Sequence, residues 1–167
     1  MMDKFTESLG LFRNSLREGW VITAYRGLME FMMGLRTQFA RKYPDHFISG
    51  SLYQGYMDMS YFAIAPRSLI EKKLKIAIVF NYPEFQFEVY LIGVNKKVQS
   101  RYIQLFRRSG WDKFRIAPST DGFDFIVAHP LIKNPDFSDL TELSEAIESG
   151  VAQFDREIEG FLNKYDK

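Results

Sequence analysis

The sequence predicts an α+β fold in which an antiparallel sheet of four to five strands packs on helices, with an N-terminal helix pair and a long C-terminal helix. Three observations predict this class: helical periodicity at both ends of the chain, alternation with a period of two in the middle, and short links between the alternating segments. Strands that are grouped together between helices are typical of α+β proteins. Because the 167 residues contain no linker and no internal repeat, we expect a single domain over residues 1–167.

Two apolar stripes with helical spacing predict the N-terminal helix pair. The first stripe recurs at steps of four, three and four residues, at Phe5, Leu9, Phe12 and Leu16. Asp3 is placed to cap this helix and Gly19 to end it. The second helix must end near Tyr43, because Pro44 disfavours helical geometry in the residue before it.

The middle of the chain predicts a meander of strands, and the rest predicts two more helices and a hairpin. The strands of the meander are expected over residues 52–63, 74–82 and 85–93. A helix capped by Asn95 runs to about Arg108, and a hairpin follows within residues 113–129. Apolar residues at three- and four-residue steps then predict one long helix from Leu140 to Tyr165.

The composition excludes several classes of function. Lys and Arg number 22 and Asp and Glu 21, so the chain has no overall field that would attract nucleic acid. The absence of cysteine excludes disulfides, thiolate metal sites and cysteine nucleophiles. The first 19 residues do not resemble a signal peptide, and the longest apolar run, residues 76–80, is far shorter than the ~18 residues that span a bilayer. We therefore expect a soluble, cytoplasmic protein with no membrane partner and no cofactor.

No recognisable catalytic motif accompanies this composition. Gly50 and Gly55 have the spacing of a phosphate-binding loop, but that loop requires Lys and then Ser or Thr where this chain has Tyr56 and Met57. The two histidines lie 83 positions apart and form no helical zinc-binding pair. These observations favour a non-enzymatic binding or interaction module over an enzyme.

A polar, tyrosine-rich strand is the leading candidate for a ligand site. Period-two alternation places Asp58 on the same strand face as hydrogen-bonding neighbours. The predicted site lies around Tyr53, Gln54, Tyr56, Asp58 and Ser60. Its expected neighbours are Arg36, Lys75 and Glu88. The expected ligand is a small molecule or a protein partner.

A metal-dependent phosphohydrolase or nuclease is the alternative hypothesis. Asp58 and Glu88 could hold Mg²⁺, with Lys75 stabilising charge on a phosphate, if the three strands bring these residues to one face. Restriction-endonuclease-like proteins keep the second acid and the lysine two residues apart on one strand, whereas here Val89 and Tyr90 follow Glu88. Cross-strand charge pairing is the simpler interpretation of these three residues.

Two further surfaces are weaker candidates for binding partners. The segment 95–115 carries seven basic residues and one acid, and it could contact nucleic acid, although a solvated helix face explains the pattern more simply. Its basic residues on the predicted helix are Lys96, Lys97, Arg101, Arg107 and Arg108. The N-terminal helix pair, which carries the methionine patch of Met29, Met32 and Met33, could bind a second copy of the chain.

Four segments carry a resemblance to a known family. They are YRGLMEFM, GSLYQGYMDMSYF, KIAIVFN and NPDFSDL. The chain resembles, over nearly its whole length, a family of small prokaryotic proteins known only as a domain of unknown function. The resemblance implies a bacterial or archaeal single-domain protein, and it assigns no activity, cofactor or site residue.

Overall fold

A computed structural model describes residues 3–167 and confirms the α+β class. The elements in chain order are α1 (Lys4–Glu18), α2 (Trp20–Lys42), β1 (Phe47–Ile48), β2 (Met59–Ala65), α3 (Arg67–Glu71), β3 (Leu74–Asn81), β4 (Gln86–Gly93), α4 (Lys96–Arg108), β5 (Arg115–Ile116), β6 (Val127–Lys133) and α5 (Leu140–Tyr165). The strands form one antiparallel sheet in the order β1-β2-β3-β4-β6-β5. The sheet therefore has six strands, and the prediction of four to five was too low.

The predicted N-terminal helix pair is confirmed, with both of its boundary signals. The side chain of Asp3 accepts a hydrogen bond from the backbone N–H of Phe5 at the start of α1. Gly19 ends α1 in the left-handed conformation, with φ of 81°, and α2 begins at the next residue. Among residues 3–167, no helix is both long and apolar enough to cross a membrane.

One face of the sheet packs on helices and forms the core. Its residues in the three central strands include Phe62, Ile64, Ile76, Ile78, Phe80, Phe87, Val89 and Leu91, all of them buried. From α2, Phe39 contacts Phe62 and Phe31 contacts Phe87, with ring centroids 5.9 and 5.8 Å apart. These aromatic contacts fix α2 across the strands.

The long C-terminal helix completes the same layer. Its buried residues recur at helical spacing and include Leu143, Ile147, Val151, Phe154, Ile158 and Phe161. Phe161 stacks on Phe106 of α4, with ring centroids 4.1 Å apart. The buried carboxylate of Glu148 accepts hydrogen bonds from Gln38 and Tyr43 and pairs with Lys42, so it ties α5 to the end of α2.

The predicted strand over residues 52–63 is the main error in the predicted secondary structure. Regular pairing begins only at Met59, and before it the chain makes a single bridge between Tyr53 and Tyr61. Gly55 and Met57 both have positive φ, at 71° and 62°, which is incompatible with an extended strand. The alternation of side chains in this segment therefore belongs to an irregular loop.

The strand that the prediction lacked is β1, which is only two residues long. β1 pairs with the end of β2, where Phe47 lies opposite Ala65 and Ile48 opposite Ile64. A two-residue strand has no detectable period, so only the sheet edge beside it defines its position.

Candidate functional site

The second face of the sheet combines small residues with tyrosines. In the cross-strand rows of this face, Ala63 lies opposite Ala77 and Ala77 opposite Tyr90, while Tyr61 lies opposite Val79. The short side chain of Ala77 leaves a depression beside the larger side chains of Tyr61 and Tyr90. A concave surface forms in the middle of the sheet for this reason.

Two irregular segments and the first turns of α4 turn this depression into a groove of about 330 Å³, which we call the tyrosine groove. Tyr53 closes one side from the loop before β2, and Phe123 and Asp124 close the other from the segment before β6. From α4, Lys96 and Gln99 reach its rim. The groove therefore draws its walls from parts of the chain that are distant in sequence.

The ring of Tyr53 packs against Tyr61 and gives the groove an aromatic wall. Their ring centroids are 5.0 Å apart, and the structure records no hydrogen-bond partner for either hydroxyl within the described residues. Burial raises the pKa of Tyr61, and the neighbouring Tyr53 and Asp124 raise it further. Tyr61 therefore remains protonated at neutral pH and can donate a hydrogen bond to a ligand.

Internal hydrogen bonds hold the floor and the α4 side of the groove. Tyr90 donates to Glu88, and its pKa is raised, first by burial and then by that hydrogen bond. The side-chain amide of Gln99 donates to the carbonyls of Phe123 and Phe125, at 2.9 and 3.2 Å. The two bonds from Gln99 fix the position of the segment that carries Phe123. The hydroxyls of Tyr53 and Tyr61 on the opposite wall take no part in these contacts.

The structure distributes the predicted ligand-site residues over several places. Of the five strand residues, only Tyr53 lines the tyrosine groove. Ser60 is fully buried on the helix-covered face, where its hydroxyl donates to the carbonyl of Gln54 and bonds to Tyr82. Tyr56 is 91% exposed. The predicted polar strand face therefore does not exist as one surface.

Asp58 has a local structural role in the loop. Its carboxylate accepts a hydrogen bond from the backbone N–H of Tyr56 at 2.9 Å, and its carbonyl accepts one from Tyr82. Hydrogen bonds from the N–H groups of Tyr56 and Met59 lower the pKa of Asp58. A carboxylate that accepts a hydrogen bond from the backbone N–H of a nearby residue stabilises a turn, as Asp side chains commonly do.

The three expected neighbours of the site each have contacts of their own, and Lys75 and Glu88 lie far apart. Arg36 donates to the carbonyl of Ser49, and the ammonium group of Lys75 lies 4.4 Å from the ring centre of Phe47. Glu88 lies opposite Val79, four residues from Lys75 along β3, which is about 13 Å at about 3.3 Å per residue.

The carboxylate of Glu88 already accepts hydrogen bonds from within the protein. Asn81, Gln86 and Tyr90 all donate hydrogen bonds to it. Within residues 3–167 no three His, Asp or Glu side chains cluster as a metal site would require. This arrangement gives the nuclease hypothesis no shared site for Asp58, Lys75 and Glu88.

Most of the basic residues in segment 95–115 also have partners within the protein. Arg107 donates to two carbonyls, Arg101 pairs with Asp166, and Lys113 pairs with Glu157. Lys96 donates to the carbonyl of Thr120. The carboxylates of Asp166 and Glu157 therefore offset the charge of Arg101 and Lys113, whereas the other basic side chains of the helix stay charged and exposed.

Most of the residues that line the groove were not predicted from the sequence. They are Met59, Tyr61, Ala77, Tyr90, Ile92, Gln99, Phe123 and Asp124. One signal could have identified the face: in β2 and β3, small residues such as Ala63 and Ala77 alternate with large ones such as Phe62 and Ile78. No local pattern indicates that Phe123 and Asp124 approach it.

The fold and groove define a small α+β protein with one sheet face covered by helices and a tyrosine-lined groove on the other. A family model described as "Domain of unknown function (DUF7000)" matches residues 5–162, so the chain belongs to this family. The resemblance inferred from the sequence is thereby confirmed. Neither the curated proteins nor the solved structures contain a match to the chain.

Proposed function

We propose that this protein is a non-enzymatic binding module of the prokaryotic cytoplasm that holds a small ligand in the tyrosine groove. The observation that carries the proposal is the groove itself, about 330 Å³ of space with aromatic walls and unpaired hydroxyls among the described residues. This volume lies at the lower end of the roughly 300–1,000 Å³ that is usual for small-molecule sites. The ligand would accordingly be small.

The lining of the groove favours a flat and partly polar ligand. Tyr53, Tyr61 and Phe123 offer ring faces or edges against which a planar molecule can stack. Asp124 and Lys96 place one negative and one positive group at the rim. A ring that carries hydrogen-bonding substituents would match both features.

The state of the tyrosines supports binding rather than proton transfer. Burial raises the pKa of Tyr61 and so moves this pKa further from neutral pH. A general base works best when its pKa lies near the working pH. Tyr61 is therefore suited to orient a ligand by donating a hydrogen bond.

A thermal-shift screen of flat, polar small molecules tests this function. Ligands that bind the groove should raise the melting temperature, since a hundredfold excess over the dissociation constant adds ~2.7 kcal/mol of stability. Tyr61→Phe removes only the hydroxyl, and Phe123→Ala removes a ring from the opposite wall; both should weaken binding of each hit. Tyr56→Phe is the matched control, because Tyr56 is exposed and lies outside the groove. Hits that bind the groove variants as tightly as the wild type would refute the proposal.

We also propose that a second copy of the chain binds through α1. Phe5, Leu9 and Phe12 are 65%, 48% and 47% exposed, and none of the residues of α1 is buried. An isolated helix of this length is marginally stable in water, so covering its apolar stripe would stabilise it. The charged side chains from Asp3 to Glu18 number three acids and three bases, which favours a neutral protein partner over an anionic membrane surface.

A further inference from the structure

A second cavity, of about 480 Å³, lies between the end of α3, the start of α4 and the end of α5, and we call it the basic cleft. We propose that the basic cleft binds a small phosphate-bearing anion. The basic cleft is a different cavity from the tyrosine groove, and this proposal does not depend on the function proposed for the groove. Asn95 lies between the two cavities and lines both.

Five cationic side chains line the basic cleft. They are Lys72, Lys73, Lys97, Arg101 and Lys167. Only two carboxylates, Glu71 and Asp166, line it as well, so the side chains of the cleft carry a net charge of 5 − 2 = +3. The whole chain has a net charge of only +1. The excess of positive charge is therefore a local property of this cavity.

Both carboxylates already have cationic partners. Glu71 pairs with Arg67, which lies outside the cleft lining, and Asp166 pairs with Lys72 and Arg101. Within residues 3–167, no ion pair involves Lys73, Lys97 or Lys167. Three ammonium groups thus line one cavity without a direct ion pair to a carboxylate of the described residues, and an anion bound among them would relieve their mutual repulsion.

The existing contacts of Asp166 show that the donors of the cleft converge on an oxyanion. Its side chain is only 9% exposed, and it accepts hydrogen bonds from Lys72 at 3.0 Å, Arg101 at 2.8 Å and Tyr102 at 2.7 Å. Burial alone would raise the pKa of Asp166, but these hydrogen bonds and charges outweigh it and lower the pKa. The cleft therefore stabilises a carboxylate well, and Lys73 and Lys97 remain for a second anion.

The position of Lys97 is unfavourable for a cation unless its charge is used. Lys97 lies in the first turn of α4, where the helix dipole disfavours a cation by a few tenths of a kcal/mol. The carbonyl of Lys73 accepts a hydrogen bond from the backbone N–H of Val94, which holds Lys73 close to the start of α4. A phosphate can accept charge-assisted hydrogen bonds from several ammonium groups at once, more than a single carboxylate can.

Isothermal titration calorimetry tests this proposal, with pyrophosphate and inorganic phosphate as the probes. The ionic strength is held constant with chloride as the competing salt. We expect saturable binding of pyrophosphate to the wild type. The double variant Lys73→Gln/Lys97→Gln should bind pyrophosphate about tenfold more weakly. The matched control, Arg108→Gln/Lys133→Gln, loses the same total charge from exposed residues outside the cleft and should bind as the wild type does.

Three outcomes would overturn the proposal. The first is the absence of saturable binding by the wild type, and the second is equal weakening in the cleft variant and the control. The third is that the wild type binds a single-stranded oligonucleotide but not pyrophosphate, and that the cleft variant loses this oligonucleotide binding, because this would assign the positive charge of the cleft to nucleic acid. Tyr61→Phe should leave pyrophosphate binding unchanged, so failure of the groove proposal and failure of this one are distinguishable.

Discussion

Tyr53 and Tyr61 form a two-residue bridge across an irregular loop. Their backbones exchange two hydrogen bonds, of 2.8 and 2.9 Å, and their ring centroids lie 5.0 Å apart. The loop between them turns back through Gly55, whose φ is 71°, and through Met57. The conformation of this loop therefore places Tyr53 at the wall of the tyrosine groove.

Gly55→Ala should destabilise the protein and displace Tyr53. A Cβ at position 55 would lie 2.0 Å from the backbone oxygen of Met59, and a positive φ strains any residue with a side chain. We expect the free energy of unfolding, measured in urea, to fall by about 1–3 kcal/mol. Gly50→Ala is the control, because a Cβ there meets nothing within 4 Å, and it should change stability by less than about 0.5 kcal/mol. Equal effects of the two variants would contradict this account of the loop.

Glu148→Ala should lower stability by removing the acceptor that joins α5 to α2. Gln38 and Tyr43 would lose their hydrogen-bond partner and Lys42 its ion pair, at a cost of about 1–3 kcal/mol in chemical denaturation. Glu148→Gln keeps one acceptor oxygen and should cost less. A result in which the two variants are equally stable would show that the hydrogen bonds do not matter.

The pH dependence of the Glu148 contribution has a definite sign. Burial would raise the pKa of Glu148, but hydrogen bonds from Lys42, Gln38 and Tyr43 outweigh it and lower the pKa below its usual 4.5. The folded state therefore favours the carboxylate, and this contribution is present above pH 4.5 and is lost as the pH falls through the folded pKa. The stability difference between wild type and Glu148→Gln should shrink below pH 4.5.

Asp155→Asn should have the opposite pH dependence. One carboxylate oxygen of Asp155 is buried without a hydrogen-bond partner, and burial, with a smaller effect of Glu159, raises its pKa from 3.8 to about 6. The wild type therefore loses stability as the pH rises from about 4 through about 6, and the variant does not. At pH 7 the variant should be more stable by about 1–2 kcal/mol, a value reduced for the partial exposure of the group.

Denaturation curves at several pH values between 4 and 7 measure this difference. Glu145→Gln, an exposed carboxylate on the same helix, is the control and should show no such slope relative to the wild type. If Asp155→Asn and the wild type have the same free energy of unfolding at every pH, this interpretation of the buried carboxylate is wrong.

The helices and the long strands were predictable because their signals are local. Asp3, Gly19 and Asn95 fix helix ends through contacts with residues at most three positions away, and the stripe of α5 repeats over 26 residues. β3 and β4 have short links and a clear period of two. For such elements, the packing in the folded protein agrees with the local preference.

The candidate site was less predictable because long-range packing forms it. The alternation from Tyr53 to Asp58 resembles a strand, but the left-handed conformation of Met57 and the turn at Gly55 override it. Phe123 approaches Tyr61 only because β6 pairs beside β4, an arrangement that no local pattern specifies. Of the tyrosine-rich segment, only Tyr53 lines the candidate groove, because the sheet register decides which side chains share a face.

The proposed self-association through α1 predicts the effect of charge on its apolar stripe. Leu9→Glu/Phe12→Glu places two carboxylates on this stripe, and neither residue is buried within one chain. We therefore expect the wild type to form a concentration-dependent dimer in sedimentation velocity experiments, and the double variant to stay monomeric with an unchanged core. Leu11→Glu is the control: Leu11 is 71% exposed but lies about 200° around the helix from Leu9, at about 100° per residue, so its charge should leave the dimer intact. A wild type that stays monomeric at high protein concentration, or a double variant that still dimerises, would exclude α1 as the interface.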